Sequence, residues 1–203
     1  MWPLASSESI PAKAEIRRSR GRRIALTILA ICGAPVVAAW LAYFVWQPQA
    51  RLNYGELIGA RRLADPPLSD LDGKPFRLSQ LRGKWVVLQT DSGLCGEACR
   101  RNLVYMRQLR IAQGKDMDRI ERVWLLTDQA VPDAGLPREF EGTRIVHAAG
   151  SALLAGFPAA PPANDHIYLI DPLGNLMLRF PSHPDPRRMS SDLARLLRAS
   201  RIG

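Results

Sequence analysis

Three kinds of hydrophobic pattern follow one another along the chain. The first is unbroken: IALTILAICGAPVVAAWLAYFVW, Ile24–Trp46, runs for 23 residues without a charge. As a helix it covers roughly 34 Å, enough for a hydrocarbon core of about 30 Å. Pro35 is a kinking residue that bilayer-spanning helices tolerate. Trp40, Tyr43 and Trp46 cluster toward the far end, where amphipathic rings favour the headgroup region.

The second pattern is the short apolar run. Lys84–Thr90 (KWVVLQT) and Arg122–Thr127 (RVWLLT) read as strands covered on both faces. Thr143–His147 is a weaker third. His166–Asp171 (HIYLID) and Leu176–Phe180 are two more, joined by Pro172-Leu173-Gly174-Asn175, whose Pro and Gly suit a tight hairpin. Earlier, LSDLDGKPFRLSQLRGK places Asp72-Gly73 between two short runs, a hairpin signal.

The third pattern is helical. From Cys95 to Gln113, Cys99, Leu103, Met106 and Leu109 share one face, Arg100, Arg107 and Arg110 lie elsewhere, and Gly114 is a C-terminal stop. Asp185-Pro186 is an N-cap followed by Pro at the first helical position, with Met189, Leu193, Leu196 and Leu197 as the apolar stripe behind it. The order hairpin, strand, helix, strand, strand, hairpin, helix predicts an α/β sandwich around a mixed sheet. QPQARLNYGELIGARRLADPP (47–67) has little apolar periodicity and reads as a tether. The expected organisation is a basic tail at 1–23, a transmembrane anchor at 24–46, a linker at 47–64 and a folded domain at 65–203.

Charge sharpens this picture. The net charge is +9, of which residues 1–23 contribute +4: Lys13, Arg17, Arg18, Arg20, Arg22 and Arg23 against Glu8 and Glu15. The remainder forms no dense stripe, which argues against a nucleic-acid surface. A basic cluster that ends where the apolar run begins predicts a cytoplasmic N-terminus and an exported domain. LAIC at 29–32 resembles a lipoprotein cleavage box, but Ile31 is large for it, and no Ala-x-Ala pair follows the run. An uncleaved anchor is expected, with Cys32 as a small apolar packing residue.

The candidate chemistry lies in DSGLCGEACRRN, residues 91–102, which holds two of the three cysteines. Four apart on a helix, Cys95 and Cys99 lie on one face with Cα atoms roughly 6 Å apart, within disulfide range. Four uses follow: a redox couple, two metal ligands, a structural disulfide, or two small core residues. A helix N-terminus and the nearby Arg100 and Arg101 favour a thiolate at Cys95. Two thiolates bind Cu(I), and an imidazole completes a trigonal site. An oxidising exported compartment makes two indifferent thiols the weakest of the four readings. Asp91 is a candidate proton acceptor or a plain turn residue. His147 reads as a capping or core-edge residue and His183 as a solvated loop residue. No nucleotide-binding glycine motif, hydrolase triad or zinc-type cluster occurs.

LSDLDGKPFRLSQLRGKWVVLQ, LCGEAC and HIYLIDPLGNLMLRF together resemble the thioredoxin superfamily, and within it the Sco/SenC branch. The resemblance spans about residues 65–200 and extends to the N-terminal anchor; the Cys-x3-Cys spacing is its specific part. It implies a thioredoxin-like fold and a membrane-anchored protein that helps assemble the copper centre of cytochrome c oxidase. It further implies Cys95 and Cys99 as copper-binding thiols and His166 as the third ligand. The implied partner is a cytochrome c oxidase subunit or another copper-assembly protein, with the anchor in a bacterial inner membrane and the domain in the periplasm. Two alternatives stay open: a thiol–disulfide oxidoreductase, with Cys95 attacking and Cys99 resolving, and a non-catalytic assembly factor with a static disulfide. Strand alternation puts His166, Tyr168 and Ile170 on one side of their strand.

Overall fold

A computed structural model describes residues 12–44, 53–158 and 165–200. The backbone separates into two units, residues 1–50 and 51–203. In the first, helix α1 (Ala12–Phe44) has Pro35 in its interior. The backbone helix therefore takes in much of the expected basic tail, which is continuous with the apolar run. Arg22–Tyr43 has a mean hydropathy of 2.3 and is long and apolar enough to cross a membrane. Ile24, Leu29, Val36 and Trp40 are all exposed, the all-round apolar surface that suits lipid. Trp46 and the first part of the expected linker lie outside the described residues.

The second unit is built on one eight-stranded mixed sheet. Its strands are β1 (Glu56–Arg62), β2 (Leu68–Asp70), β3 (Pro75–Phe76), β4 (Trp85–Asp91), β5 (Ile120–Leu126), β6 (Thr143–His147), β7 (Ile167–Ile170) and β8 (Asn175–Arg179). The order across the sheet is β1-β8-β7-β4-β5-β6-β2-β3. β4, β5 and β6 are parallel neighbours; β7 returns antiparallel to β4, and β8 to β7. Helix α2 (Glu97–Ile111) carries the chain from β4 to β5. The short α3 (Leu136–Glu139) precedes β6, and α4 (Pro186–Ala199) follows β8.

Each strand of the centre shows why its sequence is a continuous apolar run: both of its faces are covered. Val86, Leu88, Val123, Leu125, Val146, Tyr168 and Ile170 form one core cluster with Leu63, Phe76, Leu78, Leu81 and Phe157. The intervening residues pack on the opposite face. There Trp85, Val87, Ile120, Ile167, Leu169 and Leu178 meet Met106 and Leu109 of α2 and Met189, Leu193 and Leu197 of α4. Both helical stripes read from the sequence are thus buried against the sheet. Asp185 caps α4 by accepting a hydrogen bond from the Arg187 amide, and Pro186 opens the helix. Gly73, at φ 77, closes the β2–β3 hairpin in the left-handed region that favours glycine.

One element departs from expectation. Residues 56–62, read as tether, form the edge strand β1, paired antiparallel with β8 from Glu56↔Arg179 to Arg62↔Asn175. The strand is mostly exposed, so it carries no apolar alternation for a sequence reading to find. Backbone pairing holds it, with help at its start. Arg179 Nη2 meets Glu56 Oε2 at 2.6 Å, and the Gly55 amide donates to Asp192 Oδ2 of α4 at 2.9 Å. Leu178 lies so close that a Cβ on Gly55 would stand 2.1 Å from its Cδ2, so any larger residue there would force the buried Leu178 side chain to shift.

Candidate functional site

The C-terminal end of β4 turns into α2 through Ser92–Gly96, and local polar groups set that turn. The Ser92 amide donates to Asp91 Oδ1 at 2.7 Å and the Leu94 amide to Ser92 Oγ at 3.1 Å. The Gly93 amide donates to Asp128 Oδ1 at 3.0 Å, tying the turn to the loop after β5. The two loops approach so closely that a Cβ on Gly93 would stand 1.9 Å from the Ala130 carbonyl oxygen. Cys95 has φ 43, in the left-handed region that a non-glycine residue occupies at a cost of about 1–3 kcal/mol.

Cys95 and Cys99 are joined by a disulfide, with Cα atoms 5.1 Å apart. Cys95 precedes the helix, and Cys99, the third residue of α2, stands in its first turn. There the helix dipole and the unpaired first amides favour negative charge on its sulfur. Both are buried, Cys95 at 6% exposure and Cys99 at 1%, so Cys95 is the more accessible of the two. The neighbouring Leu94 is 80% exposed. Behind the pair pack Leu103, Trp124, Leu126, Leu136 and Phe140.

The sequence reading singled out Asp91 but missed the other polar groups around this disulfide, Gln89 and Asn102. Gln89, fully buried on β4, donates through Nε2 to Cys99 Sγ at 3.4 Å. Asn102, one turn beyond Cys99, is also fully buried, and neither its amide nitrogen nor its oxygen meets a protein partner. Two residues on from Gln89, along the same face of β4, lies Asp91. Burial pushes its carboxyl up to about 6; the negative charges of Asp165 and Asp128 push the same way, and the Ser92 amide opposes them. The available signal was the interruption of an apolar run, WVVLQTD, by an amide and an acid.

The expected positive charge beside the cysteines is compensated. Arg100 pairs with Glu139 at 3.1 Å across an exposed surface. Arg101 pairs with the buried Asp165 at 2.9 Å, and His183 Nδ1 stands 3.4 Å from the other oxygen of Asp165. His183 is exposed, as expected of a loop residue, yet it has this acidic neighbour. His147 ends β6 half-buried, with Nδ1 lacking a protein partner.

His166 does not join the cysteines. Its Nδ1 lies 2.8 Å from the Phe180 carbonyl oxygen. A carbonyl only accepts, so Nδ1 donates, while the buried Nε2 meets no protein partner. The ring stands 6.4 Å from that of Tyr168. Tyr168 belongs to the core face with Val86 and Leu88, whereas the disulfide packs on the α2 face. Alternation along β7 accounts for this placement. Among the described residues no three His, Cys, Asp or Glu side chains converge as a metal site. With both sulfurs also spent on each other, Cys95, Cys99 and His166 form no three-donor site in this disulfide-bonded arrangement.

The comparisons with known proteins agree with this architecture. Yeast Sco1 with copper bound superposes with a TM-score of 0.59 at 12% identity, over 70% of this chain and 96% of that one. Bradyrhizobium japonicum ScoI with copper bound gives 0.52 at 17%, over 66% and 98%. A SCO1/SenC family lipoprotein from Bacillus anthracis gives 0.51 at 17%, over 70% and 97%. No curated protein matches in sequence. The fold is therefore Sco-like and thioredoxin-like, preceded by one apolar helix. Residues 85–200, from the first residue of β4 to just past α4, match the model of the transmembrane-like, thioredoxin-like C-terminal domain, and the chain belongs to that family.

Proposed function

We propose that the chain is a membrane-anchored thiol–disulfide exchange protein. It acts through the Cys95–Cys99 couple on the cysteines of another protein in the exported compartment. The observation that carries this reading is the disulfide itself, set where a strand turns into a helix. Cys95 is the less deeply buried of the two and Cys99 stands in the first helical turn, with the raised carboxyl of Asp91 two residues beyond the amide that touches Cys99. Cys95 is the sulfur attacked in the oxidised protein and the attacking thiolate in the reduced one; Cys99 is the resolving sulfur. Asp91 is suited to give up a proton as the disulfide opens to thiols and to take it back as the disulfide re-forms.

The Sco-like fold points to clients among the copper-binding cysteines of cytochrome c oxidase assembly, a cytochrome c oxidase subunit or another assembly protein. The apolar helix supports anchoring in a bacterial inner membrane, with the N-terminus cytoplasmic and the domain periplasmic. Confinement to the membrane raises the effective concentration near a membrane-bound client.

A single-cysteine peptide offered to the full chain tests the exchange, in a Cys32→Ser background that removes the third thiol. Cys99→Ser is expected to accumulate a mixed disulfide at Cys95 with an activated peptide, and Cys95→Ser to accumulate far less at the buried Cys99. Equal labelling of both variants would contradict the assigned roles.

A second reading has one observation in its favour: solved structures of this fold hold copper. In it the reduced Cys95 and Cys99 carry Cu(I) as cargo, with His166 as a further ligand. Cu(I) titration of the reduced chain against a competing chelator separates the two. Tight binding lost in both Cys95→Ser and His166→Ala supports the three-ligand reading. Binding indifferent to His166→Ala removes His166 from it.

A further inference from the structure

We propose that Gln89 is a catalytic residue of the exchange, donating an amide hydrogen bond to the Cys99 sulfur as that sulfur leaves. The inference rests on the exchange reading above and adds a group in direct contact with a reacting atom. Gln89 is fully buried, and its Nε2 lies 3.4 Å from Cys99 Sγ. Its Oε1 meets no protein partner. The bond to sulfur is the only one the side chain makes among the described residues. A buried amide is costly in an otherwise apolar strand interior, and here its single bond is spent on the disulfide.

The chemistry explains what that bond can do. A client thiolate attacks Cys95 Sγ; a client–Cys95 disulfide forms as the Cys95–Cys99 bond breaks, and the electron pair departs on Cys99 Sγ. The sulfur becomes an anion inside a core of Leu103, Trp124, Leu126 and Phe140, where a charge without donors is strongly disfavoured. One donor is already in place, the Gln89 amide, and the dipole of the first turn of α2, where Cys99 stands, also favours the anion. A neutral bond to sulfur in the disulfide strengthens into a charge-assisted bond to thiolate in the transition state, the differential interaction that accelerates a reaction. A second client thiolate then attacks the client sulfur of the mixed disulfide and expels Cys95. The client has lost two electrons and two protons, and the two cysteines have gained them. The reverse direction passes through the same thiolate.

The test uses the full chain in detergent with Cys32→Ser throughout. Gln89→Met keeps side-chain length and removes the donor; Gln89→Glu places a carboxylate against the leaving sulfur. The first readout is the rate of disulfide reduction by dithiothreitol at pH 7. Losing one hydrogen bond to a charged group is expected to slow Gln89→Met by roughly ten- to a hundredfold, and Gln89→Glu more. The second readout is the thiolate absorbance of Cys99 in a Cys95→Ser chain. Its midpoint is expected to rise in Gln89→Met, a change that a merely structural role would not produce. Wild-type reduction rates and an unmoved Cys99 midpoint in both variants would overturn the proposal. A wild-type chain that resists dithiothreitol altogether would instead overturn the exchange reading, and the Cys99 titration would still decide whether Gln89 stabilises the thiolate.

Discussion

The two faces of the central sheet are built from the same strands and differ in what they admit. On the Tyr168 face the central positions are apolar almost without exception: Val86, Leu88, Val123, Leu125, Val146 and Ile170. On the α2 face the apolar series of β4, Trp85 and Val87, changes to Gln89 and Asp91 toward the C-terminal end. The disulfide lies on this second face, in contact with Gln89. One face is therefore a core that stabilises, and the other is a core with polar chemistry let into one end. His166, the residue expected to complete a metal site, belongs with the first face through its contact with Tyr168. The family resemblance suggested His166 as a ligand, and strand alternation already put it on one side with Tyr168.

The largest effect expected from this contrast is on stability. Leu88→Ala, at a fully buried position of the Tyr168 face, should cost about 2–5 kcal/mol in denaturant unfolding while leaving the disulfide of the folded fraction as reactive as before. A large change in reactivity would show that the faces are not independent.

Next comes the ion pair that links α2 to Asp165, two residues before β7. Asp165 is buried and Arg101 about three-quarters buried, so Arg101→Gln should destabilise by about 1–3 kcal/mol. It also leaves the charge of Asp165 uncompensated beside Asp91, whose carboxyl should then titrate higher. Carbon-13 titration of the Asp91 carboxyl would show the shift, and an unmoved midpoint would deny the coupling.

Asp91→Asn is a smaller change of opposite sign. Burial raises the folded carboxyl from 3.8 to about 6, so the unfolded chain releases this proton first. Below pH 4 both states are protonated and there is no penalty. Stability is lost as pH rises from about 4 to 6, and the loss is complete above that. Asp91→Asn should therefore stabilise the domain by on the order of 1–2 kcal/mol at pH 7–8, a gain that vanishes below pH 4. Unfolding midpoints across that range would reveal a contrary slope.

Much of this contrast was legible in the sequence and some was not, for physical reasons. Strands buried on both faces announce themselves as apolar runs, so the cores of β4, β5 and β7 fell where periodicity put them. The stripe of α2 was visible because Cys99, Leu103, Met106 and Leu109 keep helical spacing, and α4 because Asp185-Pro186 marks its start. β1 was not visible, because an exposed edge strand is held by backbone bonds that leave no side-chain signature. Within the site, spacing placed Cys95 and Cys99 together. The pairing of Arg101 with Asp165, 64 positions apart, and the surroundings that raise the Asp91 carboxyl depend on residues distant in the chain. Gln89 stood in view inside WVVLQTD, yet nothing local distinguishes a buried amide aimed at sulfur from one at a strand edge.

The central claim is that Cys95–Cys99 is an exchangeable couple, and equilibrating the full Cys32→Ser chain in thiol–disulfide buffers of known potential tests it most directly. The account predicts reversible conversion between disulfide and dithiol with a midpoint above about −300 mV. A midpoint below that value, or a disulfide that exchanges with no thiol in either direction, would contradict it and leave the bridge a static brace.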